Sequence, residues 1–257
     1  RAANDSLVSM SADLSITFAD IEAAALAIQG AVERTPSSVS KTLSEILGAT
    51  VILNGRDDGP LNQAVVKLRD EGIDAHPARF DLTDAEAAAA AIGQAVQTVG
   101  AIDILVNNAG VQLRKPFLDF AIEDWRMILD VHLIGSVVAA KAVLPGMVER
   151  QAGKIINICS LMSELGRPTI APYASAKGAL RMLTRNLAVE FAQHNIQVNG
   201  IGPGYFATEL NRALMDDPEF DAFVKRRTPA ARWGQPDELG GAAVFLASAA
   251  SDFVNGQ

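Results

Sequence analysis

From residue 50 the sequence alternates between two periodicities, and that alternation constrains the fold more than any other feature. Short β-rich runs ("TVILNG", "DAHPARFDL", "IDILVNN", "KIINICS", "IQVNGIG") are separated by longer segments such as "PLNQAVVKLRDEG", "DAEAAAAAIGQAVQTVG" and "YASAKGALRMLTRNLAVEFAQHN". In the longer segments apolar residues recur every three to four positions, the period of a helix. The run "AIEDWRMILDVHLIGSVVAAKAVLPGMVER" predicts one long helix, and "QPDELGGAAVFLASAA" a last one. A strand with one wet face alternates apolar and polar residues. The strand cores here are nearly all apolar, so both faces are buried, as in a parallel sheet covered by helices. The expected fold class is α/β, a doubly wound parallel sheet in three layers over residues 50–257, preceded by an atypical segment, 1–49.

Composition narrows the partners. The chain has 257 residues, is 49% hydrophobic and carries a formal net charge of −8. A nucleic-acid groove or an anionic membrane rewards clustered Lys and Arg, so neither is the expected partner. The single cysteine, Cys159, can form no internal disulfide, and no group of Cys and His has metal-ligand spacing. A buried structural thiol, no metal site and a reducing, cytoplasmic compartment are expected. No wholly apolar stretch of 18 residues suggests a membrane span. Met10 reads as a plausible natural start.

Doubly wound sheets bind ligands beyond the carboxyl ends of their strands. The unusual residues fall there: Arg56 after "VILNG", Asp81 and Leu82 after "ARF", "NNAG" after "ILV", Ser160 after "KIINIC", and "GPGYFAT" after "VNGI". Five strand ends with polar or glycine-rich turns predict one crevice.

Tyr173 and Lys177 stand four positions apart on a predicted helix, on one face and about a turn from each other. An ammonium there favours phenolate over phenol. Bringing a tyrosine from pH ~10 to ~7 takes roughly 4 kcal/mol, which a cation in a partly desolvated cleft can supply. Tyr173 then becomes a general acid or base, and Ser160 a donor to the same substrate oxygen. An isolated tyrosine–lysine pair is more often an interface tyrosine beside a solvated lysine; the surrounding motifs decide otherwise.

Those motifs, Ser160 thirteen residues before Tyr173, "NNAG" and "PGYFAT", resemble the short-chain dehydrogenase/reductase family over residues 50–257. The resemblance implies a Rossmann-like fold, NAD(P) chemistry, and Ser160, Tyr173 and Lys177 as catalytic residues. It implies cofactor contacts at Asp81 and Leu82, at Asn108, Ala109 and Gly110, at Tyr173 and Lys177, and at Pro203, Gly204 and Thr208. Arg56 suits the 2′-phosphate of NADP, with NAD as the alternative because Asp57 adjoins it. "VILNGRD", "LMSELGRP", "PGYFATELN" and "RTPAARWGQPDEL" resemble the family's gluconate 5-dehydrogenases. This implies a sugar-acid substrate whose carboxylate Arg114 could clamp, with a solvated Arg114, or Lys115 in its place, left open. A 3-oxoacyl carrier-protein reductase is the alternative activity. The family also implies a homotetramer or dimer built on the helices after residues 121 and 173.

Three departures from the family accompany the match. The opening strand and TGxxxGxG turn are absent: residues 16–49 read "ITFADIEAAALAIQGAVERTPSSVSKTLSEILGA". "RTP" and "TLSEILGA" resemble the amino-terminal part of pyridoxal-phosphate-dependent threonine dehydratases, without the lysine-bearing motif that lyase chemistry requires. A weakened phosphate turn would impair dinucleotide binding and leave, at the extreme, a silent binding module. The helix asparagine of the family, seven residues after a tryptophan, is His132 here, counted from Trp125. Relatives continue past "FVNGQ" into a final strand.

Overall fold

The computed structural model describes residues 49–208 and 211–257. The segment resembling threonine dehydratases, and with it the stretch "RTPSSVSK", lies outside the described residues.

Five parallel strands form, as the alternation predicts. β1 (Val51–Gly55) pairs with β2 (Ala75–Arg79), and β3 (Ile104–Asn107) with β4 (Gly153–Ile158), which pairs with β5 (Ile196–Ile201). Among the described residues these are two hydrogen-bonded sets, β1–β2 and β3–β4–β5. Helices α1 (Asp58–Asp70) and α2 (Ala85–Thr98) flank β2, and α2 packs on α4 (Gly135–Arg150), so the two sets share one helical layer.

Both faces of the larger set are buried, and neighbouring residues show it. Ile155 of β4 packs with Val143, Leu144 and Met147 of α4 and with Ala188 of α5 (Ala171–Phe191). The next residue, Ile156, packs with Ala243, Leu246 and Ala247 of a helix on the opposite face, Gly240–Ala247. This is the period of two that a strand imposes. Gly153 is required for the α4 side to close, because a Cβ there would lie 2.5 Å from the Met147 sulfur. The final residues run beside β5: the Gly256 amide donates to the Val198 carbonyl at 2.9 Å, and the Gly200 amide to the Gln257 carbonyl at 2.7 Å.

The predicted long helix over 121–150 is interrupted in register, not in direction. α3 (Ile122–Leu129) passes through a π turn, Asp130–Ile134, into α4. The Gly135 amide reaches the Asp130 carbonyl five residues back, and the Ser136 hydroxyl bonds the His132 carbonyl at 3.0 Å. By length and composition the span Ile122–Arg150 could cross a membrane; its inner face instead fills the core through Ala139, Ala140, Val143, Leu144 and Met147. Among the described residues a short helix, Arg212–Met215, and a longer one, Pro218–Arg227, were not anticipated. The Asp217 carboxylate caps the longer one by accepting from the Glu219 and Phe220 amides at 2.9 and 3.2 Å, an Asp-Pro-Glu start that the sequence does carry.

Candidate active site

Ser160 is fixed by the end of β4, and Tyr173 and Lys177 by the first turns of α5. A buried polar chain locks the strands to the helix. Asn107 Nδ2 donates to Asn157 Oδ1 at 2.8 Å, and Asn157 Nδ2 donates to the Thr184 hydroxyl at 2.8 Å. Asn157 and Thr184 are each 1% exposed, so the chain sets the register of β3, β4 and α5 in a low-dielectric interior. Past β4 the Ser160 hydroxyl accepts the Met162 amide at 3.1 Å, and the Leu161 amide bonds the Pro203 carbonyl at 3.1 Å, joining two strand-end loops.

Tyr173 and Lys177 do share one helix face, but the lysine does not do what the spacing suggests. Its Nζ donates to the Ile158 carbonyl at 2.5 Å and lies 5.9 Å from the centre of the Tyr173 ring. Burial pulls the Lys177 pKa down to about 8, against a smaller opposing effect of the Cys159 sulfur. Burial pushes the Tyr173 phenol above its ordinary value. Hydrogen bonding with Ser160 and the charges of Arg114 and Arg167 pull it back, while Cys159 opposes them. The expected acidification of Tyr173 by Lys177 is therefore corrected. The ammonium is spent on a main-chain carbonyl, and the cations that act on the phenol come from loops.

His132 fills the space beneath. Its ring meets Tyr173 edge-on, with centroids 5.2 Å apart, and its Nε2 lies 3.1 Å from the Val111 nitrogen and 2.8 Å from the Val111 oxygen. Burial first, then the Lys177 charge, lowers its pKa to about 4, so the imidazole is neutral at pH 7. A Cβ on Gly110 would stand 2.7 Å from His132 Cε1, so only glycine lets the loop after β3 cross this ring.

Above these residues opens a cleft lined by Ser160, Tyr173, Pro203 and Gly204 together with Gln112, Arg114, Arg167, Tyr205 and Asn211. Arg114 Nη2 is 3.5 Å from Asn211 Oδ1, and its Nε is buried with no partner among the described residues. Burial, then the Arg167 charge, lowers the Arg114 pKa. Arg167 sits over the Phe220 ring, 5.0 Å from its centre, with Nη1 3.5 Å from the Tyr205 hydroxyl. Lys115, the alternative to Arg114, is committed elsewhere. It pairs with Asp124 at 2.6 Å, and the same carboxylate accepts the Ala121 amide at the start of α3. Gln112, Arg167, Tyr205 and Asn211 were not singled out from the sequence. "LGRP" and "PGYFATELN" contained three of them, but only packing shows that they face the cleft.

The remaining predicted residues lie along the strand ends. Asp81 accepts from the Thr83 amide and hydroxyl at 2.9 and 2.7 Å, which hold its carboxyl below the usual range, helped by the Arg56 charge. Leu82 packs under Gly135. Asn108, Ala109 and Gly110 are exposed after β3, and Thr208 accepts the Asn211 amide at 2.9 Å without lining the cleft. The donors present fit a pyridine dinucleotide. Lys177 is 4% exposed, has three N–H donors and spends one on Ile158, leaving donors for a ribose diol. The Arg56 side chain is exposed and, among the described residues, hydrogen-bonds only Asp57, at 3.4 Å, leaving donors for a phosphate.

Comparisons with known proteins agree with this geometry. The family model described as enoyl-(acyl carrier protein) reductase matches residues 38–257. The 5-keto-D-gluconate 5-reductase of Escherichia coli (strain K12) is 53% identical over 209 residues, 81% of this chain and 82% of that protein. The 2-dehydro-3-deoxy-D-gluconate 5-dehydrogenase of Formosa agariphila is 43% identical over 245 residues, 95% of this chain and 92% of its own, a span that enters the first 49 residues. Among solved structures, a gluconate 5-dehydrogenase from Burkholderia cenocepacia in complex with NADP and tartrate is 51% identical, with a TM-score of 0.82 over 87% of this chain and 89% of that one. Strand-end serine, helix tyrosine and lysine, parallel sheet and matched span coincide, and the chain belongs to the short-chain dehydrogenase/reductase family of oxidoreductases.

Proposed function

We propose that this chain interconverts a secondary alcohol and a ketone on a sugar acid of the gluconate/5-ketogluconate type, using NADP. One observation carries the substrate class: Arg114 presents a buried, unpartnered Nε in the same cleft as Ser160 and Tyr173, while Lys115 is neutralised by Asp124. A carboxylate is the group that answers a buried guanidinium. The relatives' names point the same way.

In this reading Arg114 holds the carboxylate and thereby places a carbon farther along the chain against Ser160 and Tyr173. The Ser160 hydroxyl donates to the substrate oxygen and steadies the charge developing on it. In reduction the Tyr173 phenol gives its proton to the substrate oxygen and becomes phenolate; in oxidation that phenolate takes the hydroxyl proton. Bound NADP supplies the hydride acceptor, or as NADPH the donor. Lys177 contributes donors to the nicotinamide ribose, with Asn108, Ala109, Gly110, Pro203, Gly204 and Thr208 around the dinucleotide and Asp81 and Leu82 beside the adenine. Arg56 serves the 2′-phosphate, which favours NADP over NAD. Exposed Leu118, Ile122, Met182 and Val189 on α3, α5 and the turn before them support a dimer or tetramer, and the lone buried cysteine supports a cytoplasmic setting.

Steady-state kinetics test the assignment. Tyr173→Phe is expected to abolish turnover while NADPH still binds saturably. Arg114→Ala is expected to raise KM for gluconate at least about tenfold, the worth of a charge-assisted hydrogen bond. An unchanged gluconate KM would remove the clamp, and turnover of a 3-oxoacyl thioester instead of gluconate would move the chain to the acyl reductases.

A further inference from the structure

The loop between β3 and α3 leaves two buried side-chain atoms without a partner among the described residues, Gln112 Oε1 and Arg114 Nε. Both residues line the cleft that holds Ser160 and Tyr173. One atom is an acceptor and the other a donor, from residues two positions apart. A buried polar atom is costly to leave unpaired, so a ligand that pairs both is favoured over one that pairs either. An ionised carboxylate is acceptor-only; it answers Arg114 and has nothing to give an amide oxygen. Gln112 Oε1 needs a donor held beside that carboxylate.

The loop cannot easily carry the amide away. The Val111 main chain meets His132 Nε2 with its amide at 3.1 Å and its carbonyl at 2.8 Å, one of which bonds that nitrogen in either tautomer, and the Lys115 amide donates to the Thr169 carbonyl at 3.1 Å. Gln112 and Arg114 lie between these two anchors. The second anchor also ties their loop to the segment carrying Arg167, the other guanidinium of the cleft, and no carboxylate is found among the described lining side chains.

We propose that Gln112 is a specificity-determining residue that accepts a hydrogen bond from the hydroxyl on the carbon next to the substrate carboxylate, so that the cleft selects 2-hydroxy over 2-oxo sugar acids. The proposal rests on the sugar-acid reading and on Arg114 as the carboxylate site. In gluconate the neighbouring carbon bears a hydroxyl, which can donate. In 2-dehydro-3-deoxy-D-gluconate it bears a carbonyl oxygen, which sets acceptor against acceptor at Gln112 Oε1. Selection therefore comes from a repulsive element as well as an attractive one.

The experiment compares kcat/KM for oxidation of gluconate and of 2-dehydro-3-deoxy-D-gluconate in the wild type and in Gln112→Leu. The wild type is expected to prefer gluconate, and the variant to lose about tenfold of that preference, through a raised KM for gluconate. A preference unchanged by the substitution overturns the role of Gln112. Turnover of neither acid by the wild type overturns the sugar-acid reading, and this subsite with it. A second measurement needs no variant: as inhibitors competing with gluconate, tartrate is expected to bind the wild type about tenfold tighter than succinate, which lacks the hydroxyls. Equal inhibition by the two overturns the proposal.

Discussion

Replacing Lys177 by methionine tests what the site costs the fold. The ammonium is 4% exposed and its pKa lies at about 8, against 10.5 for an ordinary lysine. At ~1.36 kcal/mol per pH unit the difference is about 3 kcal/mol of stability lost, at pH 7, by keeping this group charged in the interior. Methionine has similar length and no charge. It gives up the 2.5 Å bond to the Ile158 carbonyl, worth about 1–1.5 kcal/mol, so Lys177→Met is expected to stabilise the cofactor-free protein by about 2 kcal/mol at pH 7 while turnover disappears. The sign of the pH dependence follows from linkage. Below pH 8 folded and unfolded chains both carry the proton and the penalty is complete. Between pH 8 and 10.5 the unfolded chain holds a proton that the folded site has released, so wild-type stability rises with pH relative to the variant. The gap should narrow by about 2 kcal/mol between pH 7 and 9.5. Thermal unfolding of both proteins at the two pH values measures it, at about 2–4 °C per kcal/mol for a chain of this size. A variant no more stable than wild type at pH 7, or a gap that does not change with pH, would refute the buried ammonium.

Two further predictions concern the ring beneath Tyr173. Gly110→Ala places a Cβ 2.7 Å from His132 Cε1 and is expected to cost about 1–3 kcal/mol, read as a lower Tm with reduced turnover; an unchanged Tm would show that the ring moves freely. His132, ordinarily near 6.5, is held to about 4. As pH falls through that window the unfolded chain takes up a proton that the folded site refuses, so wild type should lose up to about 3 kcal/mol that His132→Gln does not. Acid unfolding curves for the two proteins that keep a constant separation would contradict it.

The strands and most helices were legible because burial on both faces writes itself as apolar composition, and helix periodicity as spacing. The π turn at Asp130–Ile134 was not. Its cause is tertiary, the seating of His132 against Gly110 and Val111, and no Pro or Gly at 130–134 marks it. The three residues proposed as catalytic, Ser160, Tyr173 and Lys177, stood out in sequence as residue types at fixed spacings. What spacing could not show was the direction of the lysine head group, since sharing a helix face with Tyr173 is compatible with pointing at the hydroxyl or, as here, at the Ile158 carbonyl. The choice between Arg114 and Lys115 was likewise open in sequence, and the pairing of Lys115 with Asp124 at the α3 start favours Arg114.

The distribution of satisfied and unsatisfied polar groups separates scaffold from site. The asparagines of the larger sheet are paired: Asn107–Asn157–Thr184 across β3, β4 and α5, and Asn199, which donates to the Val254 carbonyl at 2.7 Å and accepts the Gln257 amide at 3.1 Å; elsewhere Asp237 Oδ1 is buried without a hydrogen-bond partner among the described residues. At the cleft Gln112 Oε1 and Arg114 Nε, and beneath it His132 Nδ1, have no partner among the described residues, and Lys177 is buried at a cost that its lowered pKa records. A chain selected for stability alone would have replaced such groups with apolar ones. The unpaired donor and acceptor that share the cleft, on a loop anchored at Val111 and Lys115, are what a preformed site for a polar, anionic substrate requires: groups fixed before the ligand arrives, so that binding energy is not consumed in arranging them.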